Sequence, residues 1–222
     1  MQDFSPIFLS IKLSFVTTLF LFAFGIPFSY WLSVTKNKLK PALEAIIALP
    51  IVLPPTVLGF YILLAIGSNG PFGKLYESIF DSQLAFSFTG LVVGSFFYSF
   101  PFAVQPIQSA FESIDKKLIE ASWTLGKSQF ETFRRIILPL SRKGLITGGV
   151  LSFAHTMGEF GVVLMVGGNI PGVTKVASIA IYDEVQALNY RGANIYSLIL
   201  LLISFSVLLM VYVFNRQTVR AL

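Results

Sequence analysis

Cysteine is absent from the 222 residues, which excludes disulfides, thiolate-held metals and thiol nucleophiles. Histidine occurs once, at His155, and leaves no material for a His-rich metal site or a Ser-His-Asp triad. Charge is scarce as well. Asp, Glu, Lys and Arg make up 12% of the chain, half of the roughly 25% usual in soluble domains. Hydrophobic residues take 55%, including 23 phenylalanines, and the mean hydropathy is +0.76. A soluble fold of this composition would expose large apolar patches. A soluble globular enzyme, a disordered chain and a nucleic-acid-binding domain are therefore excluded.

A membrane-crossing helix needs about 20 mostly apolar residues. Five stretches supply them, at residues 11–34, 45–66, 86–110, 145–166 and 195–214. The expected fold is all-α: one polytopic domain over 1–222, a bundle of five transmembrane helices. No basic cluster precedes the first stretch and no small-residue cleavage site follows it, so it reads as a retained span. The loops sort the cations. Lys36, Lys38, Lys40, Lys116, Lys117, Lys127, Arg134, Arg135, Arg142, Lys143, Arg216 and Arg220 fall on one side, against Lys74, Lys175 and Arg191 on the other. The positive-inside rule makes the richer side cytoplasmic, with the N-terminus outside and the C-terminus inside. The net charge of +5 then reports topology and contact with anionic lipid headgroups, not nucleic acid.

Within the second span, Pro50, Pro54 and Pro55 each lack an N–H and clash with the carbonyl four residues back. Two readings stay open: a kink that aids packing, or a broken helix lining a solute pathway, with Thr56 and Gly59 adding a hydroxyl and a close-approach point. Gly90-x-x-x-Gly94 and Gly144-x-x-x-Gly148 predict close helix packing in the third and fourth spans. The first and fifth spans, rich in Phe, Leu, Ile and Val, read as outer, lipid-facing helices. His155 and Glu159, four apart, share one helical face, and Glu159 stands between Gly158 and Gly161. An ionisable side chain there is either a functional group or a tie between helices.

Residues 111–143 form a polar-amphipathic segment between the third and fourth spans. One short helix is expected from Asp115 to Gly126, its C-terminal glycine. A second starts at the capping box Ser128-Gln-Phe-Glu131 and runs to about Ile137, before Pro139. Phe130, Phe133, Ile136 and Ile137 fall on one stripe suited to docking.

Glu120-Ala121-Ser122, three residues, Gly126, nine residues, then Ile136-x-Leu138-Pro139 resembles the EAA loop of permease subunits of binding-protein-dependent ABC importers. Ser122 replaces the pattern's second alanine. Ala48–Leu64 (ALPIVLPPTVLGFYILL) and Gly158–Tyr182 further resemble molybdate permeases of the ModB type; sulfate/thiosulfate permeases share much of the second segment. The resemblance implies the type I ABC importer fold, a homodimeric pore in a bacterial or archaeal cytoplasmic membrane, two cytoplasmic ATPase subunits and an extracytoplasmic oxyanion-binding protein. It implies that Glu120, Ala121, Ser122, Gly126, Phe130, Ile136, Leu138 and Pro139 couple to the ATPase. Pro54, Pro55, Thr56, Gly158, Glu159 and Gly161 are expected at the translocation pathway or gate.

No Walker pattern is present: at Gly73-Lys74, Ser68 stands where the first glycine belongs and Leu75 where Ser or Thr belongs. The chain is expected to bind no cofactor, ATP-Mg belonging to the partner ATPase. An ionised carboxylate about 4 Å from a dianion would cost about 4 kcal/mol per unit charge at an effective dielectric near 20. Glu159 is therefore expected to bond to helix ends or backbone, and hydroxyls such as Thr56, Ser95, Ser99 or Ser152 to serve anion passage. The competing readings are a sulfate/thiosulfate permease, a proton-coupled secondary transporter using Glu159 or His155, and a membrane enzyme. The last lacks any reactive cluster.

Overall fold

A computed structural model describes residues 3–219, and every regular element among them is helical. The first helix, α1 (Ser5–Val34), starts with a proline in its first turn, where the missing N–H costs nothing. Its buried residues include Ser10, Ser14, Thr17, Leu21, Gly25, Ser29 and Leu32, spaced three or four apart along one face. α1 is thus interior on that face, while Phe8, Phe15, Leu19 and Phe24 on the rest of its surface are exposed, as its expected lipid-facing character requires. In lipid, large apolar side chains gain nothing by turning inward, whereas small and hydroxyl residues allow close packing.

The second expected span is two helices, α2 (Lys40–Val52) and α3 (Pro55–Ile66), turned 111° from each other. Leu53, held extended at φ −70°, ψ 140° ahead of Pro54, makes the break. Pro50 is carried inside α2. A further helix, α4 (Pro71–Phe80), was not expected. Gly70 caps it, a proline opens it, and Asp81 ends it in the left-handed region at φ 50°. Its Phe72, Leu75, Ile79 and Phe80 are exposed. The Gly-Pro start and the three-and-four spacing of those residues were the available signals.

Helix α5 (Phe88–Glu112) is capped by the Ser87 hydroxyl, which accepts from the Gly90 N–H at 3.1 Å. It runs parallel to α1, since Lys12 meets Phe88, Phe24 meets Phe96 and Tyr30 meets Phe111 in the same order. After it come α6 (Lys116–Thr124), α7 (Gln129–Thr132), a π-helical turn over Phe133–Ile137, and α8 (Leu138–Leu140). The fourth expected span is also broken, into α9 (Arg142–Met157) and α10 (Gly161–Gly167). A Cβ on Gly144 would strike Ala110, and one on Gly148 would lie 2.9 Å from the Ala103 carbonyl oxygen. The expected close packing is therefore present, and α9 lies antiparallel on α5.

Helix α11 (Ala177–Gln186) covers the bundle, with Ala177, Ile179 and Ala180 buried. It starts where the Ser10 hydroxyl accepts from the Ala177 N–H at 2.9 Å. α12 (Tyr190–Val219) leaves Leu198, Leu201, Leu202 and Phe205 exposed, as expected of an outer helix. Three helices, α1, α5 and α12, are individually long and apolar enough to cross a membrane. Arg220 and the side chain of Arg216 lie outside the described residues.

Candidate functional site

The 116–140 segment folds from local signals. The Asp115 carboxylate accepts from the Lys117 N–H at 2.9 Å and opens α6. At the other end Gly126 adopts φ 76°, its N–H donates to the Trp123 carbonyl (2.9 Å), and the Lys127 N–H reaches back to the Ser122 carbonyl (3.1 Å). This pair of bonds is a Schellman cap, whose left-handed residue is favoured as glycine. Ser128 then caps α7, its hydroxyl accepting from the Glu131 N–H at 3.2 Å. The two helices are joined side to side by Ser122, whose Oγ lies 2.9 Å from Thr132 Oγ1.

The expected single stripe is divided. The Leu138 N–H bonds to the Phe133 carbonyl five residues back, and this wide turn precedes Pro139, which has no N–H to offer. The extra residue rotates the chain beyond it. Phe133 and Ile137 turn into the bundle, Ile137 at 2% exposure, where Phe133 packs on Tyr30 (ring centroids 4.8 Å) and Phe111. Phe130 remains 73% exposed. Ile136 joins Leu118, Ala121, Ser122 and Leu125 around a groove of about 380 Å³, rimmed by Lys127, Glu131 and Arg135. Lys127 and Arg135 both lie 3.6 Å from Glu131. Glu120 is exposed and makes no ion pair among the described residues. Leu138 and Pro139 carry the chain into α9 across a bend of 70°.

Of the residues expected at a pathway or gate, the structure brings Pro55 and Gly161 together. A Cβ on Gly161 would stand 2.7 Å from Pro55 Cβ, and one on Gly59 would stand 2.8 Å from Met165 Cβ. The break at Leu53–Pro54 thus packs against the break at Gly158–Phe160, and α3 lies along α10. Pro54, Thr56 and Gly158 are exposed beside this contact. The Glu159 backbone carbonyl accepts from the Ser178 hydroxyl at 2.5 Å.

The Glu159 carboxyl differs from expectation. It is 4% exposed and set against Ser95, in a contact short of a well-formed hydrogen bond, and its oxygens make no other bond among the described residues. It therefore does not bond to backbone, because its side chain leaves the break toward α5 while the free N–H groups of α10 point along that helix. One turn further, Ser99 Oγ lies 2.9 Å from His155 Nδ1 and 2.8 Å from Thr156 Oγ1, and the imidazole stacks on Phe102. The Ser152 hydroxyl donates to the Gly148 carbonyl at 2.7 Å. Ser95, Ser99 and Ser152 are completely buried. Three of the four hydroxyls expected to serve anion passage are thus sealed between α5 and α9; only Thr56 is open.

At the opposite end from α6 and α7, Gly168 (φ 64°) and Gly172 (φ 74°) turn the chain between α10 and α11. Lys175 and Asn169 fasten this turn to Asp183, at 2.6 and 2.9 Å. Burial pushes the Asp183 carboxyl up, but the Lys175 and Asn169 bonds outweigh it and hold the group below the usual carboxylate range.

A family described as "Binding-protein-dependent transport system inner membrane component" matches residues 25–220. The molybdenum transport system permease protein ModB of Azotobacter vinelandii is 46% identical over 97% of this chain and 95% of its own length. ModB of Escherichia coli (strain K12) is 38% identical over 83% of this chain and 80% of its own. The "Probable sulfate transport system permease protein cysT" of Chlorella vulgaris is 34% identical over 97% of this chain and 81% of its own. Among solved structures, the inward-facing MetNI methionine ABC transporter superposes with a TM-score of 0.74 at 19% identity, covering 96% of this chain and 94% of that one. A bacterial ABC importer of the acidic polysaccharide alginate also gives 0.74, at 17% identity, over 96% and 78%. The fold is that of ABC importer membrane subunits.

Proposed function

This chain belongs to the family of binding-protein-dependent transport system inner membrane components, and from that premise we propose that it is the pore-forming subunit of an ATP-driven molybdate importer. Two copies pair, two ATPase subunits dock from the cytoplasm, and an extracytoplasmic protein delivers the oxyanion. The N-terminus lies outside and the C-terminus inside. The chain supplies no nucleotide site or cofactor; ATP-Mg is bound by the partner. The substrate assignment leans on the greater similarity to molybdenum permeases than to the sulfate permease.

One observation carries the mechanism. The exposed α6–Gly126–α7 pair runs without a loop through the π turn into α9, and α9 ends at the break beside Pro55. A shift of the ATPase seated in the groove around Ala121, Leu125 and Ile136 would tilt α9 and move Gly161 against Pro55. That is how closure of the ATPase would open one side of the pathway and shut the other. Phe130 and Glu120 provide the exposed apolar and acidic contacts of the docking face.

The test is uptake of labelled molybdate into proteoliposomes holding the permease, its ATPase and the binding protein. Uptake should require ATP and fall at least about tenfold in Glu120→Ala, with ATP hydrolysis no longer stimulated by loaded binding protein. Uptake driven by a proton gradient without ATP would overturn the reading. Inhibition by sulfate as strong as by tungstate would move the assignment to a sulfate permease.

A further inference from the structure

Between α1 and α5 lies a groove of about 580 Å³ whose wall is almost wholly apolar, built from Val16, Phe20 and Phe24 on one side and Phe88, Val92 and Phe96 on the other. At its mouth stands Lys12, the one basic residue inside the first span. Its Nζ lies 4.5 Å from the centre of the Phe88 ring, a cation–π contact that holds the ammonium over the groove. Lys12 is exposed and has no carboxylate partner among the described residues. The exposed Thr89 adds a hydroxyl at the same rim. From Lys12 to Phe24 the helix rises about 18 Å, close to the roughly 15 Å depth of one leaflet's hydrocarbon. The mouth is at the N-terminal ends of α1 and α5, away from the α6–α7 end.

We propose that this groove holds an acyl chain of a phospholipid from the leaflet opposite the α6–α7 end, with the lipid phosphate on Lys12 and Thr89 and a preference for anionic headgroups. A long apolar channel with a single unpaired cation at one end complements an amphiphile with one anionic end. A second copy of the chain is a poorer occupant. A two-fold contact centred on the groove would set two Lys12 cations in one apolar seam with no acid between them. The inference rests on the membrane fold and not on the identity of the substrate.

The experiment is native mass spectrometry of the assembled transporter from mild detergent, given phosphatidylglycerol and phosphatidylcholine of equal chain length. Wild type should retain phosphatidylglycerol preferentially. Lys12→Ala should lower that retention about fivefold and Lys12→Glu further, while Lys12→Arg keeps it. Because the chain has no cysteine, Phe20→Cys can carry a single benzophenone maleimide. A lipid adduct on irradiation supports the site. An adduct with a second permease chain, or retention unchanged in both Lys12→Ala and Lys12→Glu, overturns it. Uptake is not read, so either result leaves the transport reading where it stands.

Discussion

Pro55 and Gly161 meet where two interrupted helices cross, so closely that a Cβ on Gly161 would stand 2.7 Å from Pro55 Cβ. Each break supplies what the other needs. The double proline interrupts the span and opens α3 with two residues that have no N–H to satisfy, and the glycine lets α10 approach the proline ring at membrane depth, where irregular backbone is tolerated only inside protein or a cavity. The contact joins the segment that changes direction by 111° to the helix that continues from the α6–α7 end.

Gly161→Ala should therefore destabilise the protein by about 1–3 kcal/mol, because the added methyl meets a rigid ring and not a side chain that can swing away. Pro55→Ala in the same chain should restore part of the loss. Thermal unfolding of the two single variants and the double variant checks this. Strictly additive losses would mean that the two residues do not bear on each other.

Gly126 offers the opposite case. Nothing lies within 4 Å of where its Cβ would be, so any cost of substitution is conformational. At φ 76° alanine should cost about 1 kcal/mol and valine more, while asparagine, which enters the left-handed region readily, should be nearly silent. ATPase stimulation should follow the same order, since only the angle between α6 and α7 is disturbed.

Local chemistry explains what was legible in the sequence. Gly126, Ser128 and Asp115 specify their caps within a few residues, and two adjacent prolines announce the break after Leu53 without help from the rest of the fold. The break at Gly158–Phe160 contains no proline, and its partner Pro55 lies a hundred residues away. The division of the apolar stripe depends on one π turn, which places Ile137 in the core and leaves Phe130 outside. The interior face of α1 was hidden because hydrophobicity does not mark the inside of a bundle whose surroundings are equally apolar.

The Asp183 clasp makes a prediction about pH. A carboxyl held below its ordinary value stabilises the fold at and above neutral pH. That contribution declines as pH falls below the ordinary carboxylate value and is gone below the lowered one. Lys175 and Asp183 are partly exposed, so the amount is under about 1 kcal/mol. Asp183→Asn should speed amide exchange over residues 168–175 at neutral pH. The difference from wild type should disappear in acid, once the native carboxyl is protonated.

Glu159 should prove dispensable as a charge. Its carboxyl is buried against Ser95 of α5, whereas Thr56 is exposed. Glu159→Gln keeps the shape and should retain near wild-type molybdate uptake. A marked change in either direction would place the charge in the path of the anion, where about 4 kcal/mol of repulsion per unit charge is at stake.

Ser122 and Thr132 give the sharpest test of the α6–α7 unit. The Thr132 hydroxyl donates to the Ser128 carbonyl at 3.0 Å, so its single proton is used. The Ser122 hydroxyl must then be the donor across the 2.9 Å contact between the two side chains. Both are buried, and the two removals are unequal. Ser122→Ala leaves Thr132 with its own donor satisfied and should cost about 0.5–1 kcal/mol. Thr132→Val strands the buried Ser122 proton, while the Ser128 carbonyl keeps its 2.9 Å bond from the backbone N–H of residue 132, so it should cost about 1–3 kcal/mol. Adding Ser122→Ala to Thr132→Val removes the stranded donor and should recover part of that loss. Unfolding of the three variants measures the coupling, and ATPase stimulation should be weaker in Thr132→Val than in the double variant. If Ser122→Ala proves the more damaging single change, the direction of the bond is reversed and Thr132 does not donate to Ser128.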